Sequence, residues 1–223
     1  MNKLSLLAVA LLTITACAIP AFGEQPDPFN APWQVLFNGK DLTGWTPIGN
    51  EKWVVENGEI YGEGITKEYG YLATEKIYKS FHLSLRFKCE ADGNSGVYLH
   101  TAFEPGTSKV IAGRQIEIDR SLAHHTGGIY GDDKGWLVWP APHLETVIKP
   151  NDWNDMLILV EGKRYVVILN GIEVLDFTYP SPKATEGVIA LQLHSGGEGR
   201  MRFKDILIRD LSPVAAPTPP AAQ

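Results

Sequence analysis

Glu117 and Asp119 stand two residues apart in Gly113-Arg114-Gln115-Ile116-Glu117-Ile118-Asp119, and paired carboxyls are raw material for acid–base chemistry. Side chains alternate along a strand, so Gln115, Glu117 and Asp119 share one face while Arg114, Ile116 and Ile118 share the other. Same-face Cα atoms lie about 6.6–6.8 Å apart, close enough for one carboxylate to raise the pKa of the next. Two more runs repeat this design. In Asn94-Ser95-Gly96-Val97-Tyr98-Leu99-His100, Val97 and Leu99 face one way and Asn94, Tyr98 and His100 the other. In Val188 to His194, Ile189, Leu191 and Leu193 oppose Gln192 and His194. If the three strands are neighbours, one sheet face gathers donors and acceptors suited to sugar hydroxyls. Tyr130, Trp136 and Trp139 follow in the chain and add aromatic faces that stack on pyranose rings. The competing reading is a plain solvated face of an antiparallel sheet.

Other chemistries lose support from the same sequence. His124 and His125 adjoin without a matching third ligand, so no metal is expected and a divalent ion has nothing to rest on. Thr126-Gly127-Gly128-Ile129-Tyr130 reads as a turn entering a strand rather than an anion nest. The chain has no Gly-x-Ser-x-Gly elbow, Walker loop or dinucleotide fingerprint. No cofactor is expected. The net charge of −6, one unit more negative without Lys3, argues against a nucleic-acid footprint.

The elements that must hold these residues are short strands. The 223 residues suit one large all-β domain. Alternating or apolar runs recur at Gln34–Phe37, Trp53–Val55, Tyr71–Thr74, Phe81–Cys89, Met156–Glu161, Tyr165–Leu169 and Met201–Arg209, with Asn-Gly turns between several. No run keeps a helical period for three turns, and the pattern points to a β-sandwich or barrel, a sandwich of two sheets being the commoner at this size. Arg120 to Asn151 reads as one long loop, of a length that in compact domains is usually functional or disordered. Cys89 shares a face with Leu83, Leu85 and Phe87 and reads as a small buried hydrophobe.

The ends read differently. Asn2-Lys3 and the apolar run Leu4–Ala16, too short to span a membrane, form an export signal over residues 1–23. Two cleavage readings compete: a lipoprotein box ending at Ala16, with Cys17 lipidated, and a small-x-small site at Ala21-Phe22-Gly23. Either sends the protein to the periplasm or cell envelope, and the lipid at Cys17 is the one membrane contact expected. Residues 24–32 form a leader, 33–211 the folded domain, and 212–223 a Pro/Ala-rich disordered tail.

The order of motifs resembles a known family. Trp33 to Trp45 reads WQVLFNGKDLTGW; then come Asn94-Ser95-Gly96-Val97, Gln115-Ile116-Glu117-Ile118-Asp119, Thr126-Gly127-Gly128-Ile129-Tyr130, Gly135-Trp136-Leu137, Lys149-Pro150-x-x-Trp153-Asn154, Leu169-Asn170-Gly171 and Leu191-Gln192-x-His194. Together they are similar to the bacterial 3-keto-disaccharide hydrolase domain across Trp33–Leu211. The resemblance implies a concanavalin A-like jelly-roll sandwich of two antiparallel sheets, acting on or binding carbohydrate. The chain departs from the family pattern at His100, where an arginine is expected. The implied chemistry starts at a ketone on C3, which acidifies the C2 hydrogen; a base removes it, the C1 substituent leaves, and water adds. The base is Glu117 or His194, with Asp119 tuning it; Tyr130 or His100 serves as acid or oxyanion donor. Gln115, Tyr98, His100, Gln192, Trp136 and Trp139 bind the sugar. Two alternatives stay open: a conventional glycosidase using Glu117 and Asp119, and a lectin-like module without catalysis.

Overall fold

The computed structural model describes residues 31–91, 94–122, 124–197 and 199–212. The export signal with Cys17, most of the leader, and the tail beyond Ser212 lie outside the described residues. Fifteen strands follow in order: β1 (Gln34–Val35), β2 (Trp45–Ile48), β3 (Lys52–Glu56), β4 (Glu59–Glu63), β5 (Gly70–Thr74), β6 (Phe81–Cys89), β7 (Asn94–Phe103), β8 (Val110–Asp119), β9 (Ile129–Gly131), β10 (Trp136–Val138), β11 (Asn154–Glu161), β12 (Arg164–Leu169), β13 (Ile172–Thr178), β14 (Val188–Leu193) and β15 (Arg200–Asp210). They form two antiparallel sheets. One runs β13-β12-β11-β6-β15-β4-β3 with β1 on β15; the other runs β10-β9-β8-β7-β14-β5-β2. This is the expected two-sheet jelly-roll sandwich.

Alternation explains why the sheets pack. Phe81, Leu83, Leu85, Phe87 and Cys89 of β6 turn inward, as do Phe203, Ile206 and Ile208 of β15. They meet Val97 and Leu99 of β7, Ile116 and Ile118 of β8, and Leu191 and Leu193 of β14, all buried. Burial also pushes the Cys89 thiol up to about 12, so it stays protonated and behaves as a small apolar group. The predicted inward face of β8 is confirmed, and the opposite face is free for a site.

Turn chemistry fixes the register. The β3–β4 hairpin pairs Glu56 with Glu59 across Asn57 (φ 55°) and Gly58 (φ 80°), a two-residue turn that needs left-handed backbone at both positions. Gly58→Ala is expected to cost about 1–2 kcal/mol, read as a shift in denaturant midpoint at constant slope.

Two expectations are corrected. Residues 120–151 are not one loop: they contain β9, β10 and a 3-10 turn at Glu145–Val147. Both strands span three residues, and the Gly131-Asp132-Asp133-Lys134-Gly135 connection between them is too rich in turn residues to show a period. His100 does not share the outer face. It adopts φ 52°, the β7–β8 register shifts between Leu99 and Ala102, and its side chain turns into the interior. A bulge of this kind inverts the alternation beyond it.

There His100 joins a buried polar network. Its Nε2–H donates to Lys79 O at 2.7 Å, which leaves Nδ1 to accept from Arg114 Nη2 at 3.0 Å. Arg114 Nη1 reaches Asp132 Oδ2 at 3.1 Å, and Nη2 reaches Ala184 O at 2.6 Å. Asp132 Oδ1 also accepts from Gly113 N at 3.2 Å and its Oδ2 from Lys183 N at 3.0 Å. This network ties the start of β8 to the turn after β9 and to the segment before β14.

Candidate functional site

The outer face of the β10-to-β2 sheet carries residues in cross-strand rows. Tyr71, Gln192, Gly96 and Glu117 form one row. Ala73, Ala190, Tyr98, Gln115, Tyr130 and Trp136 form the next. With Glu68, Tyr69 and Thr107–Lys109 of neighbouring loops, these rows line a groove of about 650 Å³. That volume is of the size small-molecule sites use. Of the residues read from the sequence, Gln115, Glu117, Tyr98, Gln192, His194, Tyr130 and Trp136 line it.

Glu117 lies on the floor at the β8 end of the first row, 2 % exposed. Asn94 Nδ2 donates to its Oε1 and Gln115 Nε2 to its Oε2, the latter at 2.7 Å. Burial pushes the carboxyl up to about 8; the Asn94 hydrogen bond opposes the shift and the Asp119 charge adds to it. Gln115 lies across Gly96 and also donates to Ser95 O at 3.0 Å. A Cβ at Gly96 would stand 2.7 Å from Gln115 Nε2, so the glycine makes the room in which Gln115 orients Glu117.

His194 lies just past the end of β14, two residues beyond Gln192, and lines the same groove. Its Nδ1 is 3.0 Å from Ser195 O, a group that only accepts, so Nδ1 carries the proton. Nε2 is then an acceptor, and the Tyr69 hydroxyl donates to it at 3.2 Å. The rings pack edge to face at 4.8 Å. Upstream in the same loop, the buried Glu51 carboxylate accepts from Thr66 N at 2.9 Å and bonds Ile65 N and Thr66 Oγ1. Tyr71 and Tyr98 meet edge to face at 5.3 Å, and burial raises both phenols. Among the described residues, two buried acceptor atoms on this floor, Gln192 Oε1 and Asn94 Oδ1, have no hydrogen-bond donor. Sugar hydroxyls supply donors of that kind.

Aromatic side chains form the β9–β10 wall. Tyr130 and Trp136 pack at 5.5 Å, both partly exposed. Behind them His125 meets Trp136 edge-on at 4.8 Å and stacks on Trp139 at 5.0 Å, while its Nδ1 bonds Glu145 Oε1 at 2.8 Å. Trp139 therefore lies one ring behind the groove lining. Asp119 shares the face of Glu117 but turns to its own loop: Oδ1 accepts from Ser121 N at 2.8 Å, and Oδ2 lies 3.2 Å from His124 Nδ1. His124 and His125 thus face different carboxylates, and among the described residues no group of three His, Cys, Asp or Glu is placed to hold a metal ion. The backbone of the Thr126–Gly128 turn is spent on β8, with Gly127 N donating to Glu117 O and Glu117 N to Gly128 O, each at 2.9 Å.

A two-sheet jelly roll with a polar and aromatic groove across one face is a carbohydrate-associated fold. Within that class, the chain belongs to the 3-keto-alpha-glucoside-1,2-lyase-like domain family, whose model matches residues 32–209. A solved putative glycosyl hydrolase from Parabacteroides distasonis ATCC 8503 is 26% identical, with a TM-score of 0.62 over 80% of this chain and 99% of that one. A second from the same organism is 24% identical, with a TM-score of 0.61 over 80% and 93%. Carbohydrate binding module CBM66 from Bacillus subtilis shares the fold at 15% identity, with a TM-score of 0.57 over 75% and 96%. The L-cystine-binding protein TcyJ of Escherichia coli (strain K12) is 26% identical over 120 residues, a match spanning 52% of this chain and 38% of that protein.

Proposed function

We propose that this protein is an exported enzyme that cleaves 3-keto-glycosides by elimination. One observation carries the reading: Glu117 is a buried, amide-held carboxyl, its pKa pushed up to about 8, in the lining of a sugar-sized groove. Ionised, Glu117 takes the C2 proton. The electron pair enters the C2–C3 enolate, then forms C1=C2 as the C1–O bond breaks and the leaving oxygen gains a proton. Water adds to C1 of the resulting enone, and C2 regains a proton. Net change is one glycoside and one water to a 3-keto sugar and an alcohol. Tyr69 and His194, already sharing a proton, supply it to the enolate or leaving oxygen. Asn94 and Gln192 accept from ring hydroxyls, and Tyr130 and Trp136 stack on the sugar.

The apolar N-terminal run supports a periplasmic or envelope location, with a lipid anchor at Cys17 in the lipoprotein variant. Incubation with a 3-keto-disaccharide and its unoxidised parent, followed by mass spectrometry, tests the reaction. Cleavage of the keto sugar alone is expected. Cleavage of the parent would indicate a conventional glycosidase, and binding without product a lectin-like module. Trp136→Ala is expected to weaken sugar binding about tenfold by titration calorimetry, from lost stacking of roughly 1.4 kcal/mol.

A further inference from the structure

The groove does not end at Tyr71. A second cleft of about 590 Å³ abuts it and shares Glu68, Thr107 and Ser108 with its lining. The strand order places the two in line. The first lies over β9, β8, β7, β14 and β5, and the second continues to Pro47 and Ile48 on β2, the edge strand beyond β5. Neighbouring strands stand about 4.8 Å apart, so from β9 to β2 the two clefts cross roughly 24 Å of sheet. Each is by itself large enough for a small molecule.

The divider between them is preformed. It is the tip of the β7–β8 hairpin, where Glu104 N bonds Lys109 O at 2.9 Å, Thr107 N bonds Glu104 O at 3.0 Å, and Lys109 N bonds Thr107 Oγ1 at 3.2 Å. Beneath the tip Phe103 packs edge-on against Tyr71 at 5.0 Å, and Ile48 joins the same apolar cluster. The second cleft thus has an apolar floor at Ile48 and Phe103, with Asn50, Glu68, Thr107 and Ser108 as a polar rim. That mixture suits a sugar ring, which offers an apolar face and hydroxyls at its edge.

We propose that this cleft is a second subsite that holds the leaving-group side of a longer substrate, a 3-keto-oligosaccharide rather than a disaccharide. The inference rests on the proposed reaction: Glu117 fixes the keto ring in the first groove, and the bond broken is at C1, so chain beyond that bond is leaving group. The hairpin tip at Glu104–Lys109 is then the element that sets chain length.

The test compares kcat/KM for a 3-keto-disaccharide with that for a 3-keto-tetrasaccharide extended from the leaving-group end. The wild-type protein is expected to favour the tetrasaccharide at least tenfold. Asn50→Trp and Glu104→Trp, both at exposed positions that line the second cleft alone, are expected to bring that ratio to about one. A wild-type ratio of one overturns the second subsite and leaves the reaction standing. A high ratio that survives both substitutions overturns its location here. Cleavage of neither substrate overturns the reaction and this inference together.

Discussion

Glu117→Gln protein is expected to bind a 3-keto-disaccharide yet cleave it about 10²–10⁴-fold more slowly than wild type. The amide keeps the shape between Asn94 and Gln115 but cannot take a proton from C2. Because the wild-type carboxyl titrates near 8, wild-type turnover at limiting substrate is expected to rise with pH and level off above that value. The same shift links to stability. Its folded pKa is raised above the ordinary 4.5, so the stabilisation is fully present below 4.5 and is lost as pH rises through 8. Glu117→Gln removes this dependence, and its melting temperature should fall less than wild type between pH 5 and 8. A drop in cleavage together with a flatter stability profile separates a lost base from a damaged fold.

Asp132→Ala is expected to be the most destabilising single change, at about 3–5 kcal/mol. Its carboxylate and the Arg114 guanidinium both have side chains 0% exposed, and removing the acid strands a buried cation. The loss is read as a fall in melting temperature on the order of 10 °C. His100 adds a pH signature. Burial, with the Arg114 charge, pushes its imidazole down to about 4 from the ordinary 6.5. Its folded pKa is depressed, so the protein keeps full stability above 6.5 and loses it as pH falls toward 4. Protonation there would also deprive Arg114 Nη2 of its acceptor at Nδ1.

Much of this was legible in the residues because alternation is a local signal. Phe81–Cys89 reads as a strand with the bounds it has, and the two faces of β8 were separable from sequence, including the inward Arg114. What failed depends on backbone or on distance. The positive φ at His100 flips a side chain that strict alternation places outside. Asp119 lies on the right face, yet Ser121 and His124, two and five residues on, take its oxygens. Trp139 meets His125 instead of the groove because β10 is short and its register with β9 shifts between Trp136 and Val138. Tyr69 was missed altogether: its partner His194 is 125 residues away, and no local pattern announces the pair. Tyr71 was legible as part of a strand, but its place on the floor appears only once β5 is set beside β14.

The most direct test of the reaction follows the hydrogen at C2. A 3-keto-disaccharide carrying deuterium at C2 is incubated with the protein in ordinary water, beside an enzyme-free control, and the released 3-keto sugar is examined by NMR. Elimination and hydration require that C2 of the product carry a solvent proton, with cleavage slowed by the deuterium wherever proton removal limits the rate; Glu117→Gln should slow both exchange and release about 10²–10⁴-fold. Release of sugar with its C2 deuterium intact would show that the bond breaks by displacement at C1 and would contradict Glu117 as the base.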